Sequence, residues 1–222
     1  MTAMASSRQR SDRLQLVLAT NNPDKVSEIA AILSGAYIDL LARPEELGDV
    51  AETGSSLEEN ARIKARAVLD SLGAPSTGGG GGSAVVADDT GLEVGALGGA
   101  PGVLSSRYAG PGASYADNVS KLLAVMRGVR DRRARFRTVA LVAFADGREV
   151  VAEGSVNGVI SEEERGKGGF GYDPVFIPDD GGGLSFAEME PAAKNALSHR
   201  GRAFRTLAEL LSVSGVQTGG SR

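Results

Sequence analysis

The sequence contains no cysteine and a single histidine. Without cysteine the chain forms neither disulfides nor thiolate metal sites, so a reducing compartment is expected, with the cytoplasm as the default. No uninterrupted apolar run approaches the roughly 20 residues that a membrane-spanning helix needs. The polar N-terminal stretch also lacks the apolar segment of a signal peptide. We therefore expect a cytoplasmic protein without a membrane partner.

An excess of positive charge is also absent, because the formal net charge is -4. A general nucleic-acid binder is usually basic, so no nucleic-acid partner is expected. Arg132, Arg133, Arg135 and Arg137 form a basic run, which we interpret as a solvated loop and strand edge. A small polyanionic ligand needs only a local positive pocket and stays possible.

Hydrophobic residues make up 41% of the 222 residues, enough for one large domain with a sizeable core. We predict a flexible leader over residues 1–13, a single α/β domain over 14–212 and a disordered tail over 213–222. Within the domain, the tract STGGGGGS at 76–83 offers nothing with which to build a core and predicts a flexible surface loop.

The first element pair predicts a strand, a short loop and a helix. Residues 14–19 form a short apolar run, Asn22 and Pro23 suit a helix cap and first helical position, and helical spacing follows until Gly35. The N-terminus of a helix favours anions, and Lys25 lies in that first turn. Thr20 and Asn21 add hydrogen-bond donors. The alternative is an ordinary capped helix with a surface lysine.

A second apolar run, 84–87, leads into Asp88-Asp89-Thr90-Gly91. Adjacent strand residues point to opposite faces, so the two carboxylates are expected to have different roles. One of them would hold magnesium or activate water, although the composition also suits a simple turn. Glu52 offers a second carboxylate before a helix, whose start we predict as a capping box of Ser56 and Glu59.

The C-terminal half carries a glycine-rich loop at 166–173, in which Phe170 or Tyr172 would stack on a base. The alternative is a flexible loop with its aromatic rings in the core. Farther along, Lys194, His199 and Arg200 lie close together in sequence, and the guanidinium suits carbonyl or phosphate oxygens. A lone histidine is more often structural than catalytic.

Between these segments, 135–145 and 148–156 predict a hairpin with Asp146-Gly147 as a two-residue turn. Strands otherwise alternate with helices along the chain. This order predicts an α/β domain with a mixed sheet.

Five stretches, 16–29, 52–65, 85–110, 168–176 and 194–203, together resemble the inosine triphosphate pyrophosphatase family in content and order. The resemblance implies an elongated α/β fold with a long twisted mixed sheet, flanking helices, and two lobes around a central substrate cleft. It also implies Mg²⁺ as cofactor, a purine nucleoside triphosphate as substrate, and a homodimer.

The same resemblance implies roles for individual residues. Asp89 would accept the proton of the attacking water and bind Mg²⁺, with Glu52 as a further metal ligand. The triphosphate would be held by the segment Thr20, Asn21, Asn22, Pro23, Asp24 and Lys25, and Thr90 would contact substrate. The base pocket would be lined by Phe170, Gly171, Tyr172 and Asp173, and Lys194, His199 and Arg200 would complete nucleotide recognition.

Two positions depart from the family pattern. Thr90 stands where many members carry serine, which keeps the hydroxyl. Ala51 replaces the first residue of a frequent Glu-Glu pair, which makes the metal role of Glu52 less secure.

The implied activity is hydrolysis of ITP, dITP or XTP to the monophosphate and pyrophosphate, which cleanses the nucleotide pool. One alternative is a septum-associated (Maf-like) pyrophosphatase with another base specificity. The other is a non-catalytic nucleotide-binding or nucleic-acid-binding module.

Overall fold

A computed structural model describes residues 13–73 and 84–213 of the chain. The predicted flexible loop at 76–83 and nearly all of the predicted leader and tail lie outside the described residues. Arg13, placed in the leader by the sequence, donates a hydrogen bond from Nη2 to the Ala36 carbonyl oxygen at 2.8 Å. Val213, placed in the tail, ends the last helix.

Seven strands form one mixed sheet. In chain order the strands are β1 Leu14–Leu18, β2 Ile38–Ala42, β3 Ala84–Val94, β4 Pro101–Gly102, β5 Arg133–Phe144, β6 Glu149–Ile160 and β7 Phe176–Pro178. The helices are α1 Pro23–Leu33, α2 Leu57–Ser71, α3 Tyr115–Val125, α4 Pro191–Leu197 and α5 His199–Val213. The spatial order is β2-β1-β3-β5-β6-β7, and β4 pairs with β3. The pairs on either side of β1 are parallel and the rest are antiparallel, which confirms the mixed-sheet α/β prediction.

Helix α1 begins as the sequence predicts. The Asn22 side chain accepts hydrogen bonds from the backbone N–H groups of Asp24 and Lys25, and Pro23 follows the cap. Ile29 and Leu33 are buried on the side of this helix that packs against the sheet. The cap therefore fixes the first turn by accepting from its backbone N–H groups.

The start of α2 differs from the predicted capping box. Ser56 does accept from the Glu59 N–H. The Glu59 carboxylate, however, accepts from both the N–H and the hydroxyl of Ser55, at 2.6 and 2.8 Å. Two donors on Ser55 outcompete the single N–H of Ser56 for this carboxylate.

Strand β3 does not end in a turn at Asp88-Asp89, as one sequence interpretation allowed. Its ladder with β5 continues from Ala84↔Phe144 to Val94↔Ala134. The two aspartates therefore lie in the middle of the sheet. Nearby cations, described below, compensate for burying their charge.

The β5–β6 hairpin is confirmed, but its connection is longer than the two residues predicted. Residues 145–148 join the strands, and the Gly147 N–H donates to the Phe144 carbonyl oxygen at 3.0 Å. Gly147 has a φ of 88°, the left-handed conformation in which glycine carries no Cβ penalty.

Helix α5 lies directly on β6 because β6 carries a glycine at the contact. A Cβ built on Gly154 would lie only 2.2 Å from the His199 carbonyl oxygen. The missing side chain thus allows the first turn of α5, with His199 and Arg200, to approach the sheet.

Three hydrophobic cores pack on the sheet around the central part of β3. The first includes Val86 and Phe204, the second includes Leu92 and Phe136, and the third includes Leu57 and Ala87. The polar residues from Asp88 to Thr90 lie between these cores. None of the helices in 13–73 and 84–213 is both long and apolar enough to cross a bilayer.

Candidate active site

Asp88 and Asp89 point to opposite faces of β3, as predicted from their adjacency. The Asp88 carboxylate lies 3.0 Å from Lys25 Nζ and 3.3 Å from Arg200 Nη2. The Asp89 carboxylate accepts from Lys64 Nζ at 2.8 Å and from Asn60 Nδ2 at 3.2 Å. One aspartate therefore belongs to the α1 and α5 side of the sheet, and the other belongs to the α2 side.

The two environments move the aspartate pKa values in opposite directions. Burial alone would raise the pKa of Asp88, but Lys25 and Arg200 hold it below the ordinary value. For Asp89, burial raises the pKa, and Lys64 only partly offsets that rise. Asp88 is thus a fixed counter-ion, whereas Asp89 is the better proton acceptor of the pair.

Lys64 lies between the two predicted metal ligands. Its Nζ is 3.0 Å from a Glu52 carboxylate oxygen and 2.8 Å from an Asp89 oxygen. Burial lowers the pKa of Lys64, but Asp89, Asp88 and Glu52 outweigh burial and leave it raised. The other Glu52 oxygen accepts from Arg107 Nη1 at 3.1 Å. The sequence interpretation missed Lys64 because it considered only the apolar face of α2.

The donor set at this point fits a hard divalent cation. Glu52 and Asp89 present carboxylate oxygens to one pocket and to one shared ammonium. Across 13–73 and 84–213 no cluster of three or more His, Cys, Asp or Glu residues could hold a metal. Two protein carboxylates with remaining positions for phosphate and water oxygens suit Mg²⁺.

Lys25 occupies the first turn of α1, with its side chain 17% exposed. Burial lowers its pKa, and the Asp88 charge opposes that change. The Thr20 hydroxyl accepts from the Asn22 N–H at 3.2 Å, and Asn21, Pro23 and Asp24 are exposed. Asn22 and Lys25 are therefore the members of the predicted phosphate segment that face the pocket.

A chain of buried charges connects α1 with the C-terminal helices. Glu28 accepts from Arg200 Nη1 at 2.6 Å and also from Lys194 Nζ. Asp173 accepts from the same Lys194 and, at 2.7 Å, from the Phe170 N–H. Glu28 therefore couples the phosphate-binding helix to the predicted recognition residues, a role that the sequence interpretation did not assign.

Most of the predicted site residues line one pocket. Its lining contains every predicted site residue except Thr20, Asn21, Pro23, Asp24 and Lys194. It also contains residues that the sequence interpretation missed, namely Val103, Ser105, Ser106, Tyr115, Asn118 and Phe136. Most of these residues lie on loop and helix positions after β3, and the sequence interpretation assigned none of them an individual role.

The predicted aromatic residues divide into an available ring and a structural one. Tyr172 is buried, and its hydroxyl donates to the Ser105 carbonyl oxygen at 2.9 Å. Phe170 is only half-buried, and its centroid lies 5.0 Å from Lys194 Nζ and 5.3 Å from the Arg200 guanidinium carbon. Phe170 is thus the ring positioned to stack on a ligand.

His199 is a buried neutral histidine. Its ring stacks on Phe136 with a centroid distance of 4.4 Å and an interplanar angle of 11°. Its Nδ1 is buried without a hydrogen-bond partner in the described chain. Burial, with smaller effects from Arg200 and Lys194, lowers its pKa well below 6.5. The imidazole therefore presents a neutral, polar edge to the pocket it lines.

This depressed pKa predicts a loss of stability in mild acid. Below pH 6.5 the unfolded chain binds a proton at His199 while the folded chain does not. The free energy of unfolding should therefore fall by up to about 1.4 kcal/mol per pH unit, from pH 6.5 down to the folded pKa. Urea denaturation at several pH values measures this slope. His199→Phe, which keeps a ring on Phe136, should flatten the slope; an unchanged slope would contradict the assignment.

The arginines of the basic run at 132–137 are paired with carboxylates or backbone carbonyl oxygens of the same protein. Arg135 and Arg137 pair with Glu93 at 2.6 and 3.1 Å, and Arg133 pairs with Asp131 at 2.7 Å. Arg132 donates to backbone carbonyl oxygens, including that of Ile160 at 2.6 Å. Strand β5 pairs with both β3 and β6, so the run does not lie on an edge strand as the sequence interpretation expected, and its charges are paired within the protein.

The model of the Ham1 family matches residues 16–210. The chain belongs to the Ham1 family. The match includes all pocket residues and nearly all of the sheet and of the three cores.

Curated relatives share both length and sequence with this Ham1 chain. The dITP/XTP pyrophosphatase of Methylococcus capsulatus is 46% identical over 205 residues, covering 90% of this chain and 96% of the relative. That of Caulobacter vibrioides is 45% identical over 199 residues, covering 89% and 97%. The solved structure of a HAM1 protein from Coxiella burnetii has a TM-score of 0.76 at 38% identity, covering 90% of this chain and 99% of that one.

Proposed function

We propose that this chain is a hydrolase that cleaves deaminated purine nucleoside triphosphates, ITP, dITP and XTP, to the monophosphate and pyrophosphate. The observation that carries the proposal is one pocket that combines three components. These are the carboxylates of Asp89 and Glu52, the helix N-terminus with Lys25, and the ring of Phe170 beside His199 and Arg200. The curated relatives carry the name dITP/XTP pyrophosphatase over nearly the full chain.

The phosphates would bind at the start of α1. Its positive dipole end attracts anions, and Lys25 adds a full charge. The lysine is already held 3.0 Å from Asp88, so it is oriented before substrate arrives. Lys25 and the helix end would stabilise the negative charge that develops on departing pyrophosphate.

The attacking water would lose its proton to Asp89. Its raised pKa and its orientation by Lys64 and Asn60 suit a general base. Glu52 and Asp89 would hold Mg²⁺, which when bound supplies charge neutralisation of the phosphates and positions the water. Attack on the α-phosphorus would break the α–β anhydride bond.

Base selection would rest on the 6-keto oxygen of the deaminated purine. That oxygen accepts hydrogen bonds from donors near His199 and Arg200, whereas the 6-amino group of adenine leaves such donors unpaired. Each buried donor left unpaired costs about 1–3 kcal/mol. Because these residues are among the most buried in the pocket, the full cost applies.

The proposal predicts that kcat/KM for dITP exceeds that for dATP by about a hundredfold or more. Pyrophosphate release from dITP, XTP and dATP in the presence of Mg²⁺ measures the ratio. Equal values for dITP and dATP would contradict base selection at the 6-position. A preference for pyrimidine triphosphates would instead support the septum-associated type of pyrophosphatase.

We also propose a homodimer and a cytoplasmic location. The dimer is carried by the family resemblance, and the location by the absence of cysteine from the sequence. Light scattering of the purified protein at several concentrations tests the dimer, for which a mass near twice 22.8 kDa is expected.

A further inference from the structure

Tyr115 lies outside every motif that pointed to the nucleotide site, yet it lines the pocket. It is the first residue of α3 and is 43% exposed. Its hydroxyl accepts a hydrogen bond from Asn22 Nδ2 at 2.7 Å, and its ring centroid is 5.7 Å from that of Phe170. One side chain thus contacts both the cap of the phosphate-binding helix and the ring of the base loop.

The contact with Asn22 completes the hydrogen bonding of that amide. Asn22 Oδ1 accepts from the N–H groups of Asp24 and Lys25, at 3.0 and 3.3 Å. Its Nδ2 has Tyr115 as acceptor. With both ends of the amide engaged, rotation of the cap away from the helix breaks three hydrogen bonds rather than two, so Tyr115 restricts the cap.

Tyr115 is itself held by a rigid helix start. Ser114 and Asp117 form a reciprocal capping box. The buried Asn118 accepts from the Ala109 N–H at 2.8 Å and donates to the Ser106 carbonyl oxygen at 3.1 Å. The pocket wall around 106–109 and the start of α3 are therefore one unit, which satisfies the requirement that a positioning group be fixed by its neighbours.

We propose that Tyr115 is a positioning residue that holds the phosphate-binding cap at Asn22 and the base-stacking ring of Phe170 in one geometry. This inference rests on the proposed function, because it assigns the pyrophosphate part of the substrate to the Asn22 side and the base to the Phe170 side. The two halves of a nucleotide then bind to a preformed spacing rather than to two independently moving segments.

The hydroxyl and the ring can be removed separately. Tyr115→Phe keeps the ring and loses the hydrogen bonds to Asn22 and to the Asp24 carboxylate, at 2.7 and 3.4 Å, so inhibition by pyrophosphate should weaken about fivefold. Inhibition by dIMP should stay within about twofold. Tyr115→Leu also loses the ring contact and should weaken dIMP inhibition about fivefold as well. Both variants should raise KM for dITP and leave kcat within about twofold, because neither touches Asp89 or Lys64.

A second measurement reports on the cap without any turnover. Amide hydrogen exchange of Asp24 and Lys25 should quicken about fivefold in Tyr115→Phe, since the cap that protects them is less restricted. Tyr37→Phe is the matched control, because Tyr37 is 76% exposed and lies outside the pocket. It should change none of these values.

Unchanged exchange and unchanged inhibition constants in both Tyr115 variants would overturn the inference. A fall in kcat at constant KM would also overturn it, since that result assigns Tyr115 to the chemical step. A wild-type protein that releases no pyrophosphate from dITP would contradict the proposed function instead. In that case the exchange rates of Asp24 and Lys25 still decide whether Tyr115 restrains the cap.

Discussion

Asp89→Asn should lower kcat for pyrophosphate release from dITP by about 10³-fold, because an amide cannot accept the proton of the attacking water. The same change removes one of two carboxylates available for Mg²⁺. The amide oxygen can still accept from Lys64, which lies 2.8 Å from the carboxylate, whereas the hydrogen bond from Asn60 is lost. The two side chains have the same shape, so local packing should persist. Steady-state kinetics at saturating dITP and Mg²⁺ measure the effect.

Asp146→Asn is the control for Asp89→Asn. Asp146 lies in the exposed β5–β6 connection and pairs with Arg148 at 2.7 Å. It should leave kcat within about twofold, and circular dichroism should show that both variants are folded. If a folded Asp89→Asn protein keeps more than a tenth of wild-type kcat, then Asp89 is not the proton acceptor.

Arg200→Met should destabilise the fold by about 1.5–3 kcal/mol, because Asp88 and Glu28 each lose one of two cationic partners and keep only Lys25 and Lys194. Arg200 is 3% exposed and pairs with Asp88 at 3.3 Å and Glu28 at 2.6 Å. For a chain of this size the melting temperature should fall by roughly 3–12 °C. Thermal denaturation monitored by circular dichroism measures the shift.

Arg202→Met is the matched control on the same helix. Arg202 is exposed, donates to the Ser155 carbonyl oxygen at 3.0 Å and lies 3.7 Å from Asp180. Its replacement should cost within about 0.5 kcal/mol. Equal melting temperatures for the two variants would show that the charges around Arg200 relax or become hydrated, and that this network adds little stability.

The sequence predicted local features well where local chemistry decides them. The Asn22 cap, the Pro23 start of α1 and the hairpin between β5 and β6 depend on neighbouring residues, and the structure confirms them. The prediction was less accurate for Asp88-Asp89. Their turn-like composition is overridden by a ladder with β5 and by cations from distant parts of the chain.

The residues that sequence reasoning missed share one property: their contacts join segments far apart in the chain. Lys64 and Asp89 are 25 positions apart, Glu28 and Arg200 are 172 apart, and Asn22 and Tyr115 are 93 apart. Lys64, Glu28 and Tyr115 all lie on helices. Helical periodicity identifies the buried apolar face but does not indicate which distant residue a polar side chain contacts. Only the assembled sheet brings these partners together.

The pairing of the cations in and beside the pocket with carboxylates has a consequence for simple anions. Lys25 and Arg200 are bound by Asp88, and Lys64 and Arg107 are bound by Glu52. The binding free energy of an incoming phosphate is only the difference between its interaction with these cations and the carboxylate interaction that it displaces. Inorganic phosphate, which brings neither a base nor a bound cation, gains little from that exchange. The carboxylates of the protein therefore compete with free phosphate for these cations, and we expect inorganic phosphate alone to bind weakly.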